Sequence, residues 1–180
     1  MTTVSGHFEL TIEELRSVAR YVAESAQDVL PAFEAVCPDD PRPRAAIDAA
    51  WEFVNGARRT NLQRIASLDA HRAAKAAPTK AAHLAARAAG DAASAAYLHP
   101  IAKSHQVGHI LRAAASAARI GELAANDDPG VGNELIEQAR QRANPTLIDV
   151  LGRYPVAQPG NGRVAELMMA LDASLRAVSR

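Results

Sequence analysis

The chain contains six histidines, five of which, His71, His83, His99, His105 and His109, fall between residues 71 and 109. His105 and His109 stand four apart, so on a helix both imidazoles share a face and can approach one metal ion. The neighbouring residues do not complete such a site. Gln106 occupies the glutamate place of a His-Glu-x-x-His motif, no carboxylate lies within either flanking turn, and Cys37 is the lone cysteine. The competing reading is a set of part-buried imidazoles bonded to neighbouring helices. His71, His83 or His99 could supply a third metal ligand if the helices align, and a metal or small-molecule site in the helical core would use His71, His83, His105 or His109 with Tyr97.

Nucleophilic chemistry finds less support. Cys37 precedes Pro38 in a turn with no histidine nearby, and Ser94 sits among alanines. Ser104 has no partner in sequence, and no Gly-x-Ser-x-Gly elbow occurs. The carboxylate pairs Glu13-Glu14, Asp39-Asp40 and Asp127-Asp128 all fall at expected helix starts, where the helix dipole accounts for them. Gly160-Asn161-Gly162 lacks the preceding strand and spacing of a phosphate loop. No enzyme class is supported, and no cofactor is called for.

Arginines carry the stronger signal. Arg42 and Arg44 flank Pro43 in the expected first turn of a helix, where positive charge opposes the dipole. That choice implies a specific acceptor, either Asp39, Asp40 or a neighbouring helix, held as a bidentate clamp. Partner recognition is the second reading, and Arg42, Arg44, Arg58, Arg59 and Arg64 are the candidate partner-binding set. Twenty bases balance twenty acids, so the chain lacks the basic excess that phosphate neutralisation demands. Aromatic residues make up 4%, too few for a base-stacking platform. The balance is uneven along the chain. Residues 1–56 hold ten acids against four bases, and residues 57–87 hold seven bases against Asp69 alone. Either the basic helices lie against the acidic ones, or a basic face is kept for an acidic partner.

The elements that must position these groups are helical. Ala fills 41 of the 180 positions, and it is the best helix former and a poor strand former. Thr11-Ile12-Glu13-Glu14 is a capping box, with Leu10 and Leu15 as its hydrophobic staple. Leu15, Val18, Val22 and Val29 follow one face of the helix it starts, and Pro31 is expected to restart a short helix. Asp40 and Pro41 suit the N-cap and first turn of the next helix, with Ile47, Trp51 and Val54 buried and Gly56 ending it. Thr60 caps a helix to about Ala77 with Leu62, Ile65 and Leu68 inward. After Pro78-Thr79, an Ala-rich helix runs to about Leu98, and another proceeds from Ile101 to Ala125 beyond His99-Pro100. Further helices are expected over 131–143 and 146–153. Residues 154–162 form either a linker or a packed loop. The seam Val164, Leu167, Met168, Leu171, Leu175, Val178 makes the last helix core, or a homodimer contact. His71-Arg72-Ala73-Ala74-Lys75-Ala76-Ala77 and His83-Leu84-Ala85-Ala86-Arg87-Ala88-Ala89 echo each other twelve residues apart, a likeness read as the product of Ala-rich composition. The expectation is one all-α domain of about seven or eight helices over residues 11–180, behind an arm at 1–10. An Ala-rich central layer should pack tightly and leave few deep cavities. The opening residues lack a signal-peptide pattern, and no apolar run reaches the roughly 18 residues of a membrane span. A cytoplasmic protein, without membrane or nucleic-acid partners, is expected.

Leu10-Thr11-Ile12-Glu13-Glu14-Leu15, Pro38-Asp39-Asp40-Pro41-Arg42-Pro43-Arg44, Ala88-Ala89-Gly90-Asp91-Ala92-Ala93 and Arg153-Tyr154-Pro155 resemble the Imm-5-like family of bacterial immunity proteins from polymorphic toxin systems. The Pro-Asp-Asp-Pro-Arg-Pro-Arg run is the most specific part. The resemblance implies an all-helical, non-enzymatic cytoplasmic protein that binds and neutralises a cognate toxin. It carries over no catalytic residues. Inhibitors of nuclease toxins are often strongly acidic. In this neutral chain, either the acidic first 56 residues do that work or the toxin is not a nuclease.

Overall fold

A computed structural model describes residues 6–178. Eight α-helices follow one another as α1 Ile12–Glu34, α2 Arg42–Val54, α3 Asn61–Ala76, α4 Lys80–Ser94, α5 His105–Ala124, α6 Pro129–Arg142, α7 Pro145–Gly152 and α8 Arg163–Val178, with a 3₁₀ turn at Ala95–Tyr97. Among the described residues there is no strand, and the fold is a single all-α domain. The only extended pairing among them is a bridge of His7 to Ile101. Phe8 N donates to Pro100 O at 3.1 Å, and the Phe8 ring meets Tyr154 edge to face at 4.8 Å.

Local chemistry sets the boundaries. Thr11 and Thr60 each close a reciprocal capping box, with Glu14 and Gln63 respectively, and Thr79 caps α4. Asp128 and Asn144 cap α6 and α7 immediately ahead of a proline in the first turn. Asn126 and Asp127 take left-handed φ values of 56° and 63° after α5, a conformation that these side chains tolerate better than most.

At the centre lies α4, packed against α1, α2, α3 and α5. Ten of its residues are buried, seven of them alanines, so the Ala-rich central layer is real. Side chains this small let four neighbours approach one helix closely. Bulk arrives from the surrounding helices: Phe33 and Leu30 from α1, Phe53 from α2, Ile110 and Leu111 from α5, Leu147 and Leu151 from α7, and Leu167, Leu171 and Leu175 from α8.

Several boundaries and faces differ from the sequence reading. Pro31 does not restart a helix, because α1 runs through it to Glu34. Proline removes one hydrogen bond there, and the burial of Leu30 and Phe33 on either side keeps the turn helical. Pro41, not Asp40, holds the N-cap position of α2, and Asp40 accepts from Arg42 N instead. Residues 101–104 are not helical, since the chain there pairs with the N-terminal arm before α5 starts at His105. In residues 154–162, Tyr154 and Ala157 are buried while Val156 is exposed; Ala157 N donates to Asp172 at 2.9 Å, so the loop is packed. The C-terminal seam is core at Leu167, Leu171 and Leu175, and Val178 is exposed.

The largest revision concerns α3. Leu62, Ile65 and Leu68 point to solvent, at 45%, 51% and 58% exposure. The buried face consists of Gln63, Ala66, Ser67, Ala70, Ala73 and Ala74. Small residues win this position because α4 presents an alanine surface, and two such helices pack most closely through their smallest faces.

Candidate functional site

The candidate arginines divide into two groups. Arg42 forks onto Asp40, with Nε to Oδ1 at 2.8 Å and Nη2 to Oδ2 at 2.6 Å. Arg44 forks onto Glu34 at 2.7 and 2.8 Å. Both are the bidentate clamps expected of a cation in a helix's first turn. Arg58, Arg59 and Arg64 form no ion pair among the described residues. Arg59 donates to Ala96 O at 3.1 Å, and the guanidiniums of Arg59 and Arg64 lie 5.2 and 4.1 Å from the Tyr97 ring centre. Tyr97 is fixed in turn by donating from its hydroxyl to Thr60 O at 2.8 Å. Two cations against one aromatic ring make a local positive patch that the ring quadrupole stabilises.

The basic helices α3 and α4 do lie against the acidic α1 and α2, yet their charges do not pair. Acids of the first 56 residues pair with Arg16, Arg42, Arg44, Arg142 and Arg153. None of them pairs with the bases of residues 57–87 among the described residues; of those bases only Arg72 holds a carboxylate, Asp69 at 2.9 Å. The basic helices are therefore not neutralised by the acidic ones. On the outward side of α3, Leu62, Ile65 and Leu68 are exposed together with the unpaired Arg64, while Arg58 and Arg59 fall in the turn just ahead of the helix. Leu68, Arg64, Ser67, Ser94 and Tyr97 line a shallow hollow of about 280 Å³ there.

The histidines do not gather on one point. His105 is exposed at the start of α5, where Gln106 Nε2 lies 2.8 Å from its Nε2. His99 lends only backbone groups, to Gln106 and Tyr154. Among the described residues no three His, Cys, Asp or Glu side chains group as a metal ion requires, and Tyr97 joins the arginines. His71 and His83 do meet, in a surface cleft of about 340 Å³ between α3, α4 and α5 shared with Lys75, Arg87 and Arg112. Beneath it Asp91 is buried at 1% exposure and held by Arg112 through Nε at 2.8 Å and Nη2 at 2.5 Å. His71 Nε2 stands 3.9 Å from Asp91. Burial holds the His71 and His109 pKa values below the ordinary imidazole range, Asp91 opposes this, and the Arg112 charge adds to it.

Gly90 explains how His71 reaches α4. A Cβ at that position would lie 2.7 Å from His71 Nε2, so only glycine lets the imidazole rest on the helix. A glycine inside an alanine run costs helix propensity, and that anomaly was the available sequence signal for a close approach. Sequence reasoning overlooked Asp91 and Arg112 as a pair, because they lie on different helices 21 positions apart.

Elsewhere, arginine–carboxylate pairs tie the helices together. Glu122, 1% exposed, is held by Arg119 and Arg163, and Arg153 binds Glu14 and Asp149. Tyr21 donates to Ala139 O at 3.0 Å, and burial pushes its phenol up to about 12.

These features define an all-helical domain with one helix face left basic and apolar. The sequence profile of the Imm-5 like putative immunity protein family matches residues 9–145, from just ahead of α1 to the start of α7. The chain belongs to that family, and membership implies a protein partner. No curated protein and no solved structure matches the chain. Among the described residues no helix is long and apolar enough to cross a membrane.

Proposed function

We propose that the chain is a bacterial cytoplasmic immunity protein that binds a cognate toxin and neutralises it by occlusion, and that α3 carries the contact. The observation behind this is the outward side of α3. Leu62, Ile65 and Leu68 are each more than two-fifths exposed, and Arg64 on the same helix, with Arg58 and Arg59 in the turn ahead of it, lacks a carboxylate partner among the described residues. Apolar anchors desolvated within a ring of charge are the usual arrangement of interface energy. The charges favour a toxin surface that is apolar at its centre and acidic around it. This is the opposite of the acidic plug that a basic nuclease cleft requires. Arg42 and Arg44 are already committed to Asp40 and Glu34 and contribute only through the α2 scaffold.

The test uses the toxin encoded beside this chain, co-purified and then titrated. Wild type should form a one-to-one complex and inhibit the toxin stoichiometrically. Ile65→Glu with Leu68→Glu should keep the melting temperature and weaken binding about a hundredfold or more. Arg58→Glu with Arg64→Glu should slow association and flatten its salt dependence. Full inhibition by both variants would refute the α3 contact, and no capture of the toxin by wild type would refute the immunity reading.

A further inference from the structure

The short echo in the sequence has a spatial meaning. His71 and Lys75 lie four apart on α3, His83 and Arg87 lie four apart on α4, and all four line the same cleft, with Arg112 supplied by α5. Two copies of a His-x-x-x-base pattern thus flank one hollow. His83 Nδ1 lies 2.8 Å from Ala74 O, and since a carbonyl only accepts, Nδ1 donates and Nε2 is the unengaged nitrogen.

The cleft's charges do not balance. Arg112 is matched by Asp91, whose two oxygens it occupies. Lys75 and Arg87 have no carboxylate partner among the described residues. Arg87 is half-buried, and its guanidinium is pushed below its usual pKa by that burial and then by the Arg112 charge, with Asp91 opposing in part. An uncompensated cation beside a second cation is costly in a partly desolvated site.

We propose that the α3–α4–α5 cleft binds a small oxyanion of the phosphate class, either inorganic phosphate or the terminal group of a phosphate monoester. Unpaired cations reach the hollow from two helices, Lys75 from α3 and Arg87 from α4, and two donors from different directions suit a tetrahedral dianion. A planar carboxylate is met by a single guanidinium fork, as Asp91 is by Arg112. At about 340 Å³ the cleft lies at the small end of ligand pockets, with room for a phosphate and a modest organic part. This site is separate from the toxin contact proposed above and stands without it.

Titration of the intact chain with inorganic phosphate, phenyl phosphate, acetate and chloride at matched ionic strength tests the proposal, read by the imidazole proton resonances of His71 and His83. Phosphate should bind saturably at one site with a dissociation constant on the order of 1 mM or tighter. It should raise the His71 titration midpoint, because the anion offsets the charges of Arg87 and Lys75. Tighter binding of phenyl phosphate identifies a monoester site; equal or tighter binding of inorganic phosphate identifies a free-anion site. Arg87→Gln should weaken binding about tenfold or more. That variant should melt no lower than wild type, since it removes an uncompensated cation. Shifts that never saturate, that chloride reproduces, or that persist undiminished in Arg87→Gln with Lys75→Gln would overturn the proposal. Saturation by acetate without phosphate would also overturn it, in favour of an acidic protein side chain.

Discussion

Asp91→Asn should be among the most damaging single-atom changes available in this protein. The carboxylate is 1% exposed and its Arg112 partner 23% exposed in side-chain terms, joined through two hydrogen bonds. Asn keeps the shape and one acceptor but removes the charge, leaving the Arg112 cation unmatched near Arg87. Breaking a buried ion pair from one side costs about 3–5 kcal/mol. Arg112 retains some contact with water, which places the expected loss near the lower end, about 3 kcal/mol. For a chain of this length that corresponds to a melting temperature lower by roughly 6–12 °C. Adding Arg112→Met removes the stranded charge and should restore stability to within about 1 kcal/mol of wild type. Urea and thermal unfolding of the wild type, both single variants and the double variant form a closed cycle that isolates the pair. The His71 imidazole supplies a second readout, because its titration midpoint should fall further once the opposing Asp91 charge is gone. A single variant that melts within about 2 °C of wild type, or a double variant worse than either single, would refute the account of Asp91 as a desolvated, charge-matched group.

Gly90→Ala should evict the His71 ring, since the new Cβ would stand 2.7 Å from Nε2; helix propensity rises, so stability changes by no more than about 1 kcal/mol, while the His71 midpoint returns toward the ordinary imidazole value by NMR titration. Glu14→Gln keeps an acceptor for Thr11 N but loses the charge that binds Arg153. The Glu14 carboxyl is held below its usual 4.5, first by the Arg153 hydrogen bond and then by Thr11. Its contribution, about 1–2 kcal/mol, is therefore present above pH 4.5 and lost as pH falls through the lowered value. Urea midpoints of the two proteins should accordingly differ near neutrality and converge in acid. Burial lowers the pKa of His71 and of His109 below 6.5, so the unfolded chain takes up protons first and the fold weakens as pH falls from 6.5. His71→Gln with His109→Gln should shrink the wild-type drop in urea midpoint between about pH 7.5 and about pH 5.5.

Much of this protein is written locally. Thr11-Ile12-Glu13-Glu14, Thr60 and Asn144-Pro145 fix helix starts through side-chain acceptors within three residues of the donors they satisfy, and a local signal survives any tertiary arrangement. Alanine abundance determined the all-α class and the small-residue central layer for the same reason. The Arg42 and Arg44 clamps were also legible, because a cation in a helix's first turn needs a nearby acceptor. What the sequence left undecided depends on which helices become neighbours. On α3 the sequence points Leu62–Ile65–Leu68 inward, yet Ala66–Ala70–Ala73 has an equally helical period and is the buried stripe, because periodicity cannot rank the two. The alanine surface of α4 ranked them by admitting only small side chains. The same docking set the histidine–base echo around one cleft, brought Asp91 to Arg112, and left the bases of α3 without the acids of α1 and α2. Side-chain type and spacing act over a turn or two of helix. Charge neutralisation and burial act across space, and only the packed tertiary structure could assign them.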